Sequence, residues 1–176
     1  KDAWFIGYTP DLVIGVYVGM DNPAPLGKFE TGSNTALPLF ENFVKKAIKK
    51  SPENSQAYKF LGNLYEKNRD LVKALDNWKV YATKDQKSGI DVYHKIESAL
   101  FDLGRYSEVE KFYQNIISLD KFNIEAVIRL ANVLDEKGET KRALDLIEGI
   151  IDKNKNDIRI DLMKLKLSIA TANPIE

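Results

Sequence analysis

The chain has 176 residues, enough for one ordinary domain or a small domain with an appendage. Its 26 basic and 26 acidic residues balance, so no overall field points to nucleic acid or an anionic membrane. The absence of cysteine excludes disulfides, thiolate catalysis and cysteine zinc sites, and a single histidine, His94, excludes a multi-histidine metal centre.

The first elements read as strands. Ala3–Tyr8 and Leu12–Met20 are rich in β-branched and aromatic residues and are joined by Thr9-Pro10-Asp11, a hairpin signal. Both are apolar at nearly every position, which suits a sheet covered on both faces. An isolated hairpin is marginal in water, so this one is expected to belong to something larger. Leu12–Met20 is also the longest apolar run, far below the ~20 residues that span a bilayer, so no transmembrane segment is expected in this chain. The chain does not begin with Met and shows no signal-peptide pattern, so it is expected to be a fragment, any export signal or membrane anchor lying upstream. Asp21–Thr35, with two prolines and polar turn clusters, is predicted to be a loop.

The stretches "DAWFIGYTPDLVIGVYVGMDNP" and "GKFETGSNTALPLFENFVKKAI" resemble the C-terminal end of the transpeptidase domain of class A penicillin-binding proteins, over about residues 1–50. The resemblance implies two strands of an active-site sheet and the closing helix that packs on it. Acyl transfer in that family needs Ser-x-x-Lys, Ser-x-Asn and Lys-Thr-Gly together. The one Ser-x-x-Lys here, Ser118-Leu119-Asp120-Lys121, falls at the end of a repeat helix with neither partner motif. No catalytic residue is therefore expected, nor acylation of this chain alone by penicillin.

A helix is predicted over 36–50, with an apolar face along Leu37, Phe40, Phe43, Val44, Ala47 and Ile48. It is expected to pack on the Ser55–Lys67 helix and to leave the hairpin partly covered. Lys45, Lys46, Lys49 and Lys50 read as a solvated face near a helix C-terminus.

Three segments then superimpose at a spacing of 34 to 35 residues: Ser55–Ser88, Ile90–Asn123 and Ile124–Asp157. Tyr58, Tyr93 and Val127 share a slot, as do Leu61, Ile96 and Leu130; Ala74, Val109 and Ala143; and Trp78, Tyr113 and Ile147. Gly104 and Gly138 mark the turn inside two repeats, with Asn68-Arg69 in that place in the first. Each unit is two amphipathic helices that bury their apolar faces by stacking on neighbours. Extended backwards, the register puts Ala47 in the slot of Tyr81, Ile116 and Ile150, so the 36–50 helix stands in for the second helix of a preceding repeat. Ile158–Thr171 is predicted to be one more helix, a cap or half of a fourth repeat.

The stretches "AYKFLGNLYEKNRDLVKALDNW", "ALFDLGRYSEVEKFY" and "ANVLDEKGETKRALDLI" resemble the tetratricopeptide repeat. Repeat two departs by placing Glu97 where a small residue is usual, and looser packing is expected there. The fold class is accordingly mainly α, a tetratricopeptide-repeat helical solenoid preceded by a β-hairpin and a linking helix. The expected divisions are 1–35 hairpin and loop (a transpeptidase remnant), 36–50 linking helix, 51–157 three repeats, and 158–176 capping helix and tail.

The resemblance implies a partner peptide or protein held in a groove lined by the first helix of each repeat. Register assigns to it Lys59, Asn63 and Glu66 in repeat one, Asp91, His94 and Phe101 in repeat two, and Ile128, Asn132 and Asp135 in repeat three. That groove reads as mixed at one end and acidic at the other, with Phe101 an apolar anchor. Lys59, Asn63 and Arg129 match positions of the carboxylate clamp of some repeat domains. Lys95 in place of an asparagine and Glu125 in place of a lysine break it, since the Glu125 carboxylate stands where a cation is needed and repels the ligand. His94, with no Ser or Cys partner nearby, reads as a surface residue.

Residues 51–171, in "IESALFDLGRYSEVEKFYQNII", are similar to the cytoplasmic repeats of the lipopolysaccharide assembly protein B family, which implies an adaptor role. The expectation is a non-catalytic protein-interaction module of the bacterial cell envelope, without cofactor or nucleic-acid partner. The alternative is the C-terminal fragment of a peptidoglycan transpeptidase whose catalytic motifs lie upstream of residue 1. The transpeptidase resemblance implies the periplasm and the assembly-protein resemblance the cytoplasm, which leaves the compartment and the natural or chimaeric origin of the join open.

Overall fold

The computed structural model describes residues 2–8, 13–21, 26, 35–154 and 156–172. Thr9-Pro10-Asp11 and most of the expected Asp21–Thr35 loop lie outside the described residues. Among the described residues, strands β1 (Ala3–Tyr8) and β2 (Val13–Val18) precede eight α-helices: α1 (Leu37–Lys50), α2 (Ser55–Lys67), α3 (Leu71–Lys84), α4 (Tyr93–Asp102), α5 (Ser107–Leu119), α6 (Ile124–Glu136), α7 (Thr140–Ile151) and α8 (Ile158–Ala172). The chain forms two compact units, Lys1–Lys84 and Asp85–Glu176.

In the first unit β1 and β2 pair antiparallel, Ala3 opposite Val18 and Gly7 opposite Ile14. Strand alternation puts Ala3, Phe5, Gly7, Ile14, Val16 and Val18 on one face and Trp4, Ile6, Val13 and Tyr17 on the other. The first face lies on the helices: the buried Phe40 of α1 holds its ring centroid 4.9 Å from Phe5 and 5.0 Å from Phe60 of α2. A Cβ on Gly7 would come within 2.2 Å of the Phe60 ring and 2.7 Å of Phe40, so a bare backbone is what lets the strand approach. Trp4, Ile6, Val13 and Tyr17 are each more than half exposed. The sheet that the sequence reads as covered on both faces is thus covered on one. Phe43 of α1 is also half exposed, because the helix buries the narrower stripe Leu37, Phe40 and Val44, at i, i+3 and i+7.

Helices α2 and α3 form an antiparallel pair. Leu61, Leu64 and Tyr65 pack with Ala74, Leu75, Trp78 and Tyr81, all buried. Gly62 sits under the indole of Trp78, where a Cβ would meet Cδ1 at 2.3 Å.

In the second unit a 3-10 turn, Gly89–Val92, leads into α4, and the pairs α4/α5 and α6/α7 are followed by α8. The repeat slots read from the sequence are buried except Ala47 and Tyr58 of the first unit, both half-buried, Tyr58 beneath the Lys84 ammonium. The first helices of repeats one and three begin alike. Asn54 and Asn123 accept from the amides of Ala57 and Ala126 through their side-chain oxygens, satisfying one orphan donor of each helix start. Asn123, itself buried, also donates to the Tyr93 hydroxyl at 3.1 Å.

The three intra-repeat turns are copies of one another. Arg69, Gly104 and Gly138 carry φ of 60°, 67° and 79°. The next amide in each case, of Asp70, Arg105 and Glu139, reaches back five residues to the carbonyl of Tyr65, Leu100 and Leu134 at 2.8–2.9 Å. This is the left-handed helix stop that glycine favours. It turns the chain sharply enough for two helices to pack face to face.

Candidate functional site

Of the residues assigned to the groove, Lys59, Asn63 and Glu66 lie on α2 of the first unit and the other six in the second. All three of the first group are half-buried. The Lys59 ammonium stands 5.3 Å from the Tyr81 ring centroid. Asn63 accepts from the Trp78 indole N–H at 3.1 Å, so it fixes the α2–α3 pair as well as facing outward.

In the second unit Asp91 lies exposed in the 3-10 turn, and His94 and Phe101 are exposed on α4. Ile128, Asn132 and Asp135 lie half-buried along α6. Across from them stands α8, whose cations complete the face. Arg159 reaches Glu125 at 3.1 Å, and Lys166 reaches Asp135 at 2.9 Å and Asn132 at 3.4 Å. The Lys166 ammonium, hydrogen-bonded to Asp135, holds that carboxyl below its usual range. The third repeat therefore does not present the bare acidic wall that its own helix suggests.

A second chain of charges runs from α4 to α6. The buried Tyr113 hydroxyl donates to Glu97 at 2.6 Å, Glu97 accepts from Arg129 at 2.8 Å, and Arg129 donates to Glu125 at 2.7 Å. The position expected to pack loosely is filled instead by a carboxylate with partners on two other helices. Arg129, matched from sequence to a clamp position, is held by two carboxylates of its own fold. Burial and the Glu97 carboxylate push the Tyr113 hydroxyl far above its ordinary pKa, and burial pushes Tyr93 up to about 12, so both remain protonated donors.

Phe101 lies at a cleft. Its ring centroid is 5.4 Å from that of Tyr106, which begins the turn into α5. The two rings line a cavity of about 440 Å³ with Val109, Val133, Glu110, Glu136 and Lys137. Both rings are largely exposed at the rim, with aliphatic walls behind and charge at the edge. Such a cleft can seat one large apolar side chain and orient the adjoining peptide backbone through polar contacts. A broader groove of about 680 Å³ lies on the other side, over Leu130 and Leu134, between α5 and α7. None of the nine residues assigned to the partner groove lines it.

Sequence reasoning missed Tyr106, Arg159 and Lys166. The last two were within reach: continuing the repeat spacing by 34 residues from Glu125 and Asn132 lands on them. Tyr106 sits in an inter-helix turn, where periodicity carries no signal. Among the described residues no helix is long and apolar enough to cross a membrane, and no cluster of three metal-ligating acids or histidines occurs.

Comparison with known proteins agrees with the penicillin-binding-protein and tetratricopeptide resemblances. A tetratricopeptide repeat family model matches residues 100–167. The crystal structure of MamA superimposes with a TM-score of 0.50 at 21% identity, over 80% of this chain and 81% of that one, a likeness of fold alone. Penicillin-binding protein 1A of Rickettsia typhi is 56% identical over 52 residues, 30% of this chain and 7% of that protein. The same protein of Neisseria lactamica is 40% identical over 52 residues, 30% of this chain and 6% of its own length. The chain thus spans less than a tenth of the curated relatives it matches. Its fold is that of a tetratricopeptide-repeat helical array preceded by a β-hairpin and a linking helix.

Proposed function

We propose that the chain is a non-catalytic protein-interaction module of the bacterial cell envelope that holds a partner peptide or protein along the first helices of its repeats. The observation that carries this reading is the Phe101–Tyr106 cleft, open at its aromatic rim and contiguous with the first-helix surface of α4 and α6. An apolar side chain of the partner enters the cleft. Ile128 provides a second apolar contact on α6, while Asn132, Asp135, Arg159 and Lys166 offer the polar groups that set its direction. His94 and Asp91 flank the entry of α4. Lys59, Asn63 and Glu66 hold the same register on α2 of the first unit and are proposed as partner contacts of that unit. The placement in the envelope rests on the 52-residue likeness to penicillin-binding protein 1A.

To test this, a random peptide library is panned against the full chain, and binders are re-measured on Phe101→Ala/Tyr106→Ala. Enriched peptides are expected to share a large apolar residue and to lose at least about tenfold in affinity on the double variant, the effect of removing one aromatic anchor pair. Peptides that share no residue, or that bind the variant equally well, refute the reading.

A second reading, favoured by the uncovered apolar face of Trp4, Ile6, Val13 and Tyr17, is that the hairpin is a piece of a peptidoglycan transpeptidase sheet. On that reading fluorescent penicillin labels a longer product carrying the Ser-x-x-Lys, Ser-x-Asn and Lys-Thr-Gly motifs, and not this chain.

A further inference from the structure

The Phe101–Tyr106 cleft has a chemistry beyond its apolar walls. The two rings are 48% and 62% exposed and tilted at 55° to one another, so ring face as well as ring edge is open at the rim. The face is the negative side of the aromatic quadrupole and attracts cations. Among the described residues no ammonium or guanidinium of the chain stands over either ring.

The charges around the cleft are unequally engaged. Glu110 accepts from Lys137 and, at 3.4 Å, from Arg142. Lys137 also reaches Glu139 at 3.2 Å. Arg105, beside Tyr106 in sequence, is held by a two-pronged pair with Glu108 at 2.6 and 2.8 Å. Glu136, the last residue of α6, lines the same cleft and is exposed, and its carboxylate has no partner among the described residues. With the internal pairs set against each other, one open carboxylate stands beside two open rings.

On the proposal that an apolar side chain of the partner fills this cleft, we infer that an arginine stands next to that side chain in the partner. The apolar group packs against Val109 and Val133. The arginine lies at the rim, its guanidinium flat on an aromatic face and its N–H fork on the Glu136 carboxylate. Lysine fits less well, because a compact ammonium cannot lie along a ring and fork to a carboxylate at once. An acidic residue in that place would meet Glu136 and the negative ring faces, so the same rim rejects it.

The test uses the full chain and peptides panned on it from a random library. Enriched peptides are expected to place arginine beside the shared large apolar residue. Each binder is then resynthesised with that arginine as citrulline, which keeps the planar shape and removes the charge. Binding to the wild-type chain is expected to weaken about three- to tenfold, the effect of one rim ion pair with one cation–π contact. On Glu136→Gln, with helical circular dichroism matching the wild type, that penalty should shrink by about twofold or more. Peptides that lose affinity on Phe101→Ala/Tyr106→Ala, yet carry no arginine beside the apolar residue or tolerate citrulline, would overturn the inference and leave the cleft as the partner's seat. An equal citrulline penalty on the wild type and on Glu136→Gln would overturn it too, placing the arginine elsewhere. A library that yields no binders, or binders indifferent to Phe101→Ala/Tyr106→Ala, would overturn the inference and the cleft's proposed role together.

Discussion

Single residues record where the repeat pattern is under tension. Arg69 holds a left-handed backbone that Gly104 and Gly138 occupy in the other two turns. A side chain in that region costs roughly 1–2 kcal/mol, part of which glycine returns as unfolded-state entropy. Arg69→Gly is therefore expected to raise stability by about 0.5–1 kcal/mol, read as a higher denaturation midpoint at unchanged slope. Glu97 is the opposite case, an apparent misfit that is integrated. Glu97→Ala removes the acceptor of the buried Tyr113 hydroxyl and one partner of Arg129, and should cost about 1–3 kcal/mol, with Glu97→Gln losing less. The carboxylates that tie helices together also set an acid response. Hydrogen bonds from Lys137 and Lys166 lower the pKa of Glu110 and Asp135 in the folded chain. Their contribution is complete above the unfolded carboxylate value near ~4 and is lost as pH falls through the lower folded values. Their ammonium partners are about half exposed, so solvent screens both pairs and the loss is small, under about 1 kcal/mol each. It should appear first as faster amide exchange in α8, which Lys166 ties to Asp135.

At the scale of elements, close approach explains why small residues stand where they do. Gly62 lies within a Cβ's reach of Trp78, which is 1% exposed, so Gly62→Ala should force the α2–α3 pair apart at about 1–3 kcal/mol, visible in the tryptophan fluorescence transition. The repeat helices were legible because the 34-residue register, the apolar slots and the turn glycines agree at every level. The hairpin was legible from its β-branched strands, but its single covered face was not. Apolar residues on both faces describe a sheet's composition, and which face finds a neighbour is decided by Phe40 and Phe60 on helices distant in sequence. The groove was read from one helix at a time. That assigned Phe101, Ile128, Asn132 and Asp135 from their own helices, and took no account of cations supplied by the next helix or of an aromatic ring supplied by a turn.

For the molecule as a whole, the two apolar surfaces left open near the ends of its described sequence carry different meanings. The hairpin face of Trp4, Ile6, Val13 and Tyr17 belongs to the segment similar to penicillin-binding proteins. The exposed α8 stripe of Leu162, Leu165 and Ile169 belongs to the repeat array, where it repeats the buried slots of Val127, Leu130 and Leu134 at 35 residues. In sequence between them lie the helices proposed to do the binding. The most direct test is amide hydrogen exchange on the full chain with and without a peptide selected from the library. Slowed exchange in α4 and α6, around Phe101, Ile128 and Asn132, is the expected result. Protection confined to residues 3–18, with α4 and α6 unchanged, would contradict it and move the interaction to the hairpin.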